Sequence, residues 1–101
     1  MSVQSYSARS STIELIARLL LGEGKYFFDN DKFPEALKTL EKILVDYWNT
    51  DAVQEAIYLR GVSQYKNTGD SLPLKAAHET LSKDFPKGEW SKRAYPYRLI
   101  G

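Results

Sequence analysis

The sequence has no cysteine, a single histidine and a net charge of only +1 over 101 residues. Without cysteine there are no disulfides, no thiolate catalysis and no cysteine metal sites. His78 alone, without cysteine partners, is a poor basis for a metal site or an active site. The small net charge provides no overall field to attract nucleic acid or an anionic membrane surface. We therefore expect a non-enzymatic protein with no cofactor, no metal and no small-molecule substrate.

Long hydrophobic runs are missing as well. The most apolar stretch, residues 13–21, contains Glu14 and Arg18 and is shorter than the about 20 residues that a membrane-spanning helix needs. Residues 1–11 show no basic segment leading into an apolar core, so no signal peptide is visible. These absences predict a soluble, cytoplasmic protein without membrane insertion. A periplasmic location stays open if a leader or neighbouring domain is missing from this chain.

The sequence does contain an internal repeat. Gly24 returns as Gly61, 37 residues later. The same offset pairs Leu20 with Ile57, Phe28 with Tyr65, Leu40 with Ala77, Leu44 with Leu81 and Trp48 with Phe85. A period in this range is typical of arrays of helical hairpins, in which no hairpin can bury its apolar face alone.

Apolar residues spaced by three and four predict a first pair of helices. The first helix begins at Ser11, which stands three residues before Glu14 in the spacing of a capping box. Residues 29–31 supply the turn. Pro34 suits the first turn of the second helix, where its missing amide hydrogen costs nothing. Residues 1–9 are expected to be a flexible lead-in.

The same signals, apolar spacing, a turn and a proline at a helix start, predict a second pair of helices. Thr50 or Asp51 is expected to cap the third helix. Gly69 is expected to take the left-handed conformation in the next turn, and Pro73 opens the fourth helix. A short fifth helix begins near Glu89 and is ended by Pro96.

The predicted fold is all-α, with two helical hairpins and a short C-terminal capping helix. The predicted domain covers residues 10–96, with repeat 1 at about 12–48, repeat 2 at about 50–86, the capping helix at about 88–95 and a tail at 97–101.

Gly24 and Gly61 stand inside predicted helices, where glycine costs about 1 kcal/mol relative to alanine. We expect each glycine to mark a close approach of the paired helix, with Ala36 opposite Gly24. Trp48 and Phe85 are expected to wedge between consecutive hairpins.

The first repeat resembles the tetratricopeptide repeat family. With Gly24 at the family's small position, aromatic, alanine and large apolar positions are filled by Phe27, Phe33, Ala36 and Leu40. The resemblance covers residues 12–95, and segments of the second repeat are similar to bacterial cell-envelope and assembly-scaffold members. Trp48 departs from the family's usual proline, and about three extra residues near 71–73 lengthen the second repeat.

The resemblance implies that the first helix of each unit lines a concave groove. The groove positions carried over from the family are Arg18, Leu21, Lys25, Phe28, Glu55, Tyr58, Val62, Tyr65, Lys66, Lys92 and Tyr95. Aromatic anchors beside basic side chains suit a peptide or protein segment with carboxylates. The alternative is that these aromatics belong to the core and the lysines are simply solvated.

Three functional hypotheses remain open. The first is binding of a protein or peptide in the groove. The second is a structural or oligomerisation module, because two repeats are fewer than the three that usually make a stable stack, so that self-association or a larger parent protein is expected. The third is weak nucleic-acid binding through the basic, aromatic C-terminus. It is disfavoured because Asp84 and Glu89 interrupt the basic residues.

Overall fold

The computed structural model describes the backbone of residues 3–101 and the side chains of residues 11–101. The regular secondary structure of this part of the chain is entirely helical, with no strand, and short turns join the helices. The helices are α1 (Val3–Asp29), α2 (Phe33–Asp46), α3 (Val53–Thr68), α4 (Leu72–Asp84) and α5 (Glu89–Ala94), followed by a 3-10 helix (Tyr95–Leu99). The predicted all-α class is confirmed. Pro34 and Pro73 lie in the first turns of α2 and α4, and Gly69 has a left-handed φ of 81°.

The helices pack in sequence order. α1 contacts α2, α2 contacts α3, α3 contacts α4, and α4 contacts α5 and the 3-10 helix. In addition α3 touches both α1 and α5, whereas α2 and α4 do not meet within the described residues. The helices α1, α3 and α5 therefore form one layer, and α2 and α4 lie on it as a second layer.

Two neighbouring clusters make up the core. The first is formed by Ala17, Leu21, Leu40, Ile43, Ala52, Val53 and Ala56, and the second by Ile57, Ala77, Leu81 and Ala94. The side chains of Leu44 and Phe85 pack against both clusters and join them. Phe85 also meets Trp48, with ring centroids 5.8 Å apart. The core thus runs without a break from α1 to the C-terminus.

Both repeated glycines are buried where two helices approach. A Cβ atom on Gly61 would lie 2.9 Å from the Cβ of Ala77 and 2.9 Å from the carbonyl oxygen of Pro73. A Cβ on Gly24 would lie 3.0 Å from Cδ2 of Leu40. Ala36, expected opposite Gly24, is fully buried but is not among the nearest atoms. Leu40, one turn further along α2, takes that place because its longer side chain reaches over Gly24.

The first helix starts earlier than the sequence pattern predicts. α1 begins at Val3, so that Ser11 lies inside the helix and does not cap it. The carboxylate of Glu14 instead accepts a hydrogen bond of 3.0 Å from the backbone N–H of Asp51, in the turn before α3. A capping-box spacing needs only two residues three apart, and here the acidic member serves a different helix.

The ends of the later helices also differ in detail. The residue before α3 is Ala52, and no side chain caps this helix. The Thr50 hydroxyl, predicted as a cap, donates to the carbonyl oxygen of Tyr47 at 2.7 Å. Pro96 does not stop the chain from coiling, because it lies in the first turn of the 3-10 helix, where its missing amide hydrogen is not needed.

The glycine contacts give a first prediction. Gly61→Ala should lower the free energy of unfolding by about 1–3 kcal/mol, because backbone and Cβ atoms must move apart. This corresponds to a fall of several degrees in melting temperature for a domain of this size. Gly24→Ala should cost less, because the end of the Leu40 side chain can turn away.

Gly22→Ala is the matched control, since a Cβ there meets nothing within 4 Å. It should raise stability by up to about 1 kcal/mol, the helix-propensity gain. Thermal melts at low micromolar concentration compare the three variants. Equal melting temperatures for Gly61→Ala and Gly22→Ala would show that α3 and α4 are not in close contact.

A second prediction concerns Ser63, which is fully buried and whose hydroxyl has no hydrogen-bond partner. Burying an unpaired hydroxyl costs about 1–3 kcal/mol, so Ser63→Ala should leave stability unchanged or increase it. Thr50→Val is the control, because it removes a hydroxyl that does have a partner, and it should cost about 1 kcal/mol. Urea unfolding measures both. A loss of stability in Ser63→Ala as large as that in Thr50→Val would contradict the unpaired state of Ser63.

Candidate interaction surface

The outer side of α1 carries an uncovered apolar stripe. Leu15, Leu19, Gly22 and Tyr26 follow one another at spacings of four, three and four residues, which places them on one helix face. Leu15, Leu19 and Tyr26 are 52%, 66% and 63% exposed. A Cβ on Gly22 would meet nothing within 4 Å. We call these four residues the α1 outer stripe.

The 37-residue offset allows the stripe to be compared with the matching positions of α3. The positions 37 residues further along are Ala52, Ala56, Leu59 and Ser63, at the start of α3 and along it. Ala52 and Ala56 pack in the first core cluster together with Leu40 of α2, and Ser63 is completely buried. On α3 these positions are therefore inside the protein, whereas on α1 no described helix covers them.

Ile16 widens the stripe at its N-terminal end. It is 38% exposed, although Val53, which lies 37 residues further along, is buried. Ile13 is also more than a third exposed, but it lies about 160° around the helix from Leu15, on the same face as Leu20 and Gly24. With about 200 Å² for a full side chain, the side chains of Leu15, Ile16, Leu19 and Tyr26 expose on the order of 400 Å². A patch of this size is in the range of the largest patch on a typical monomer and often marks an interaction site.

The stripe lies outside the groove positions that the family resemblance implies. The signal was nevertheless present, since the 37-residue offset sets Leu15, Leu19 and Tyr26 against Ala52, Ala56 and Ser63. Large apolar residues in one repeat thus stand where the next repeat has small ones.

Two of the predicted groove residues lie in the packing between helices. Leu21 belongs to the first core cluster and is 8% exposed. The ring of Tyr58 meets Trp90 edge-on at 5.2 Å and Tyr97 at 5.9 Å. Lys25 and Glu55 form an ion pair of 3.0 Å that links α1 to α3. Leu21 and Tyr58 therefore fill space between helices, whereas the side chain of Lys25 remains half exposed in its ion pair with Glu55.

The remaining predicted residues are spread over the surface. Half-buried side chains are Phe27, Phe28, Phe33 and Val62, and exposed side chains are Arg18, Tyr65, Lys66, Lys92 and Tyr95. Phe28 and Phe33 meet edge-on at 5.6 Å near the turn between α1 and α2. Lys92 and Tyr95 lie at the other end, beside α4. The structure therefore divides the predicted groove into separate regions.

The basic and aromatic residues of the C-terminus contact one another. Arg93 lies over the ring of Trp90 at 4.5 Å and pairs with Glu89 at 2.6 Å. Arg98 lies over the ring of Tyr95 at 3.7 Å. Ring faces and guanidinium groups that are already engaged are less available to stack on bases or to meet phosphates. The geometry gives the nucleic-acid hypothesis little support.

Comparison with protein-family models, with curated proteins and with solved structures finds no significant match. The resemblance to the tetratricopeptide repeat therefore stays a prediction from the residues. Within the described residues, none of the helices is both long and apolar enough to span a lipid bilayer. That part of the chain also holds no group of three or more residues suited to bind a metal ion.

A tyrosine pair at the C-terminus gives a pH-dependent prediction. The hydroxyls of Tyr58 and Tyr97 are 3.2 Å apart. Burial, together with this hydrogen bond and the charge that Tyr58 can carry, raises the pKa of Tyr97 from 10.0 to about 12. The folded state therefore favours neutral Tyr97. Its contribution to stability is complete below pH 10 and is lost as the pH rises from about 10 to about 12.

Ultraviolet absorbance at increasing pH should show one of the seven tyrosines ionising well above the rest. Tyr97→Phe should remove this late step, whereas Tyr26→Phe, at an exposed position, should leave it in place. A late step that persists in Tyr97→Phe would assign the raised pKa to a different tyrosine.

Proposed function

We propose that this chain is a non-catalytic helical-repeat interaction module that self-associates through the α1 outer stripe. The observation that carries the proposal is a contrast in burial. Ala52, Ala56 and Ser63 are buried on the α3 side, whereas the side chains 37 residues earlier, Leu15, Leu19 and Tyr26, are exposed on α1. The tetratricopeptide-like pattern around Gly24 points to the same class of protein, since arrays of this kind present surfaces to partners and do no chemistry.

The spacing of the stripe is self-complementary. Its four positions are symmetric about the midpoint between residues 20 and 21. When two copies of α1 cross antiparallel about a twofold axis at that point, Leu19 of one copy faces Gly22 of the other, and Leu15 faces Tyr26. A large side chain then meets an open glycine at two places, which allows two helices to approach closely.

The available area predicts a weak dimer. Two patches of about 400 Å² give about 800 Å² in total, below the about 1,200 Å² of standard interfaces and in the range of weak, transient ones. Two unpaired charges on α1, Arg18 and Glu23, have no ion-pair partner in residues 11–101. They border the stripe and keep its rim hydrated, as is usual for protein interfaces.

Peptide binding in a concave groove is a second proposal with less support. It draws on exposed Tyr65 and Lys66 of α3. The groove would also need Leu21 and Tyr58, whose side chains are engaged in packing. Self-association through the α1 outer stripe, in contrast, requires no rearrangement of the described residues.

Sedimentation velocity from about 10 µM to about 1 mM should show a reversible monomer–dimer equilibrium. Leu19→Glu should weaken it at least about tenfold, because a carboxylate would be buried without a partner. The matched control is Leu72→Glu, at an exposed position on α4, which should dimerise as the wild type does. A wild type that stays monomeric at 1 mM, or a Leu19→Glu variant that dimerises normally, would contradict the proposal.

The geometry of the pair can be tested by crosslinking, because the chain has no native cysteine. An equimolar mixture of Leu15→Cys and Tyr26→Cys should form mainly mixed disulfide dimers. A parallel pairing would instead crosslink each variant to itself and would rule out the antiparallel arrangement.

A further inference from the structure

The far end of the molecule contains a cavity that the self-association does not use. It has a volume of about 460 Å³ and lies between α4 and α5, within the range of about 300–1,000 Å³ that is usual for small-molecule sites. Its lining residues are His78 and Ser82 of α4, Pro86 of the connection, Ser91 and Lys92 of α5, and Tyr95. We call it the α4–α5 pocket.

Ser91 offers a free hydrogen-bond donor to this pocket. The residue is 7% exposed, and none of the described residues hydrogen-bonds to its hydroxyl. Among the described residues the only enclosed side-chain oxygen without a partner is that of Ser63, so the Ser91 hydroxyl is open to the cavity that it lines. A ligand in the cavity can therefore accept a hydrogen bond from Ser91.

The charge of the pocket identifies the kind of partner. Lys92 has no ion-pair partner within residues 11–101, and no carboxylate lines the cavity. The nearby Glu89 is already paired with Arg93 at 2.6 Å, so it does not neutralise Lys92. One unpaired ammonium beside several hydroxyl groups matches a ligand with one negative charge.

We propose that the α4–α5 pocket binds a small organic acid, with its carboxylate between Lys92 and Ser91 and its apolar part against Pro86 and Tyr95. The guanidinium of Arg98 covers the Tyr95 ring at 3.7 Å and holds this wall in place. The pocket lies apart from the α1 outer stripe, so the proposal does not depend on self-association.

His78 can orient a third donor to the bound carboxylate, the hydroxyl of Ser82. Its Nε2 atom lies 2.9 Å from the hydroxyl oxygen of Ser82, one turn along α4. When Nε2 carries the hydrogen, it donates to Ser82, and the hydroxyl hydrogen of Ser82 is free to point at the carboxylate. Ligand binding should therefore select the Nε2-protonated tautomer of His78.

Nuclear magnetic resonance tests the pocket on the full chain, with phenylacetate as the probe. Increasing phenylacetate should shift the amide signals of Ser91 and Lys92 and the ring signals of His78, the only histidine in the chain. Phenylacetamide has the same shape without the charge and should bind at least about tenfold more weakly.

Two variants locate the carboxylate. Lys92→Gln should weaken phenylacetate binding about tenfold, and Ser91→Ala several-fold, since each removes one donor to the carboxylate. Lys38→Gln is the matched control, because it removes the same charge from an exposed position on α2 and should leave the affinity unchanged. Circular dichroism verifies that the variants are folded.

A peptide ending in a free C-terminal phenylalanine distinguishes the two sources of a carboxylate. Tighter binding of this peptide than of phenylacetate assigns the pocket to a chain end, and equal binding assigns it to a free acid. No shift at about 20 mM phenylacetate, equal binding of the amide, or unchanged affinity in Lys92→Gln would overturn the proposal. Stronger binding of inorganic phosphate at the same residues would also overturn the assignment to a carboxylate.

Discussion

The contact on which the rest of the structure depends is the approach of α4 to Gly61 on α3. No side chain separates the two helices at this point, so the carbonyl of Pro73 and the Cβ of Ala77 would lie only 2.9 Å from a Cβ on the glycine. This distance brings Ala77 and Leu81 against Ile57 in the second core cluster. It also fixes where the end of α4 lies relative to α5, and hence the shape of the pocket between them.

The two ends of the layer formed by α1, α3 and α5 differ in how their apolar faces are covered. An apolar helix face is stable only when another element covers it. At the C-terminus α5 and the 3-10 helix supply such an element, and Trp90 and Tyr97 pack against the second cluster. At the N-terminus no described helix covers Leu15, Leu19 and Tyr26. The association proposed for α1 follows from this asymmetry.

The sequence pattern was reliable where a residue type has a local cause. Pro34 and Pro73 marked helix starts because proline fits only the first turn. Gly69 marked a turn because it adopts a positive φ without steric cost. The pattern failed for Ser11, since a capping box also requires that Glu14 be free, and Glu14 is bonded to the turn before α3. The pattern did not indicate that the predicted groove residues Leu21 and Tyr58 take part in packing, because Leu21 joins the first core cluster and Tyr58 packs between α3 and α5.

The amino-acid sequence by itself determined the all-α class, the five helices and the 37-residue spacing, because helix periodicity, proline and glycine act over a few residues. Only the tertiary structure decided which apolar positions are covered. The same repeat position is buried at Ala56 and open at Leu19, since burial depends on whether another helix lies alongside. It also decided that Ser91 and Lys92 share a cavity with His78, because those residues meet only once α5 has packed on α4.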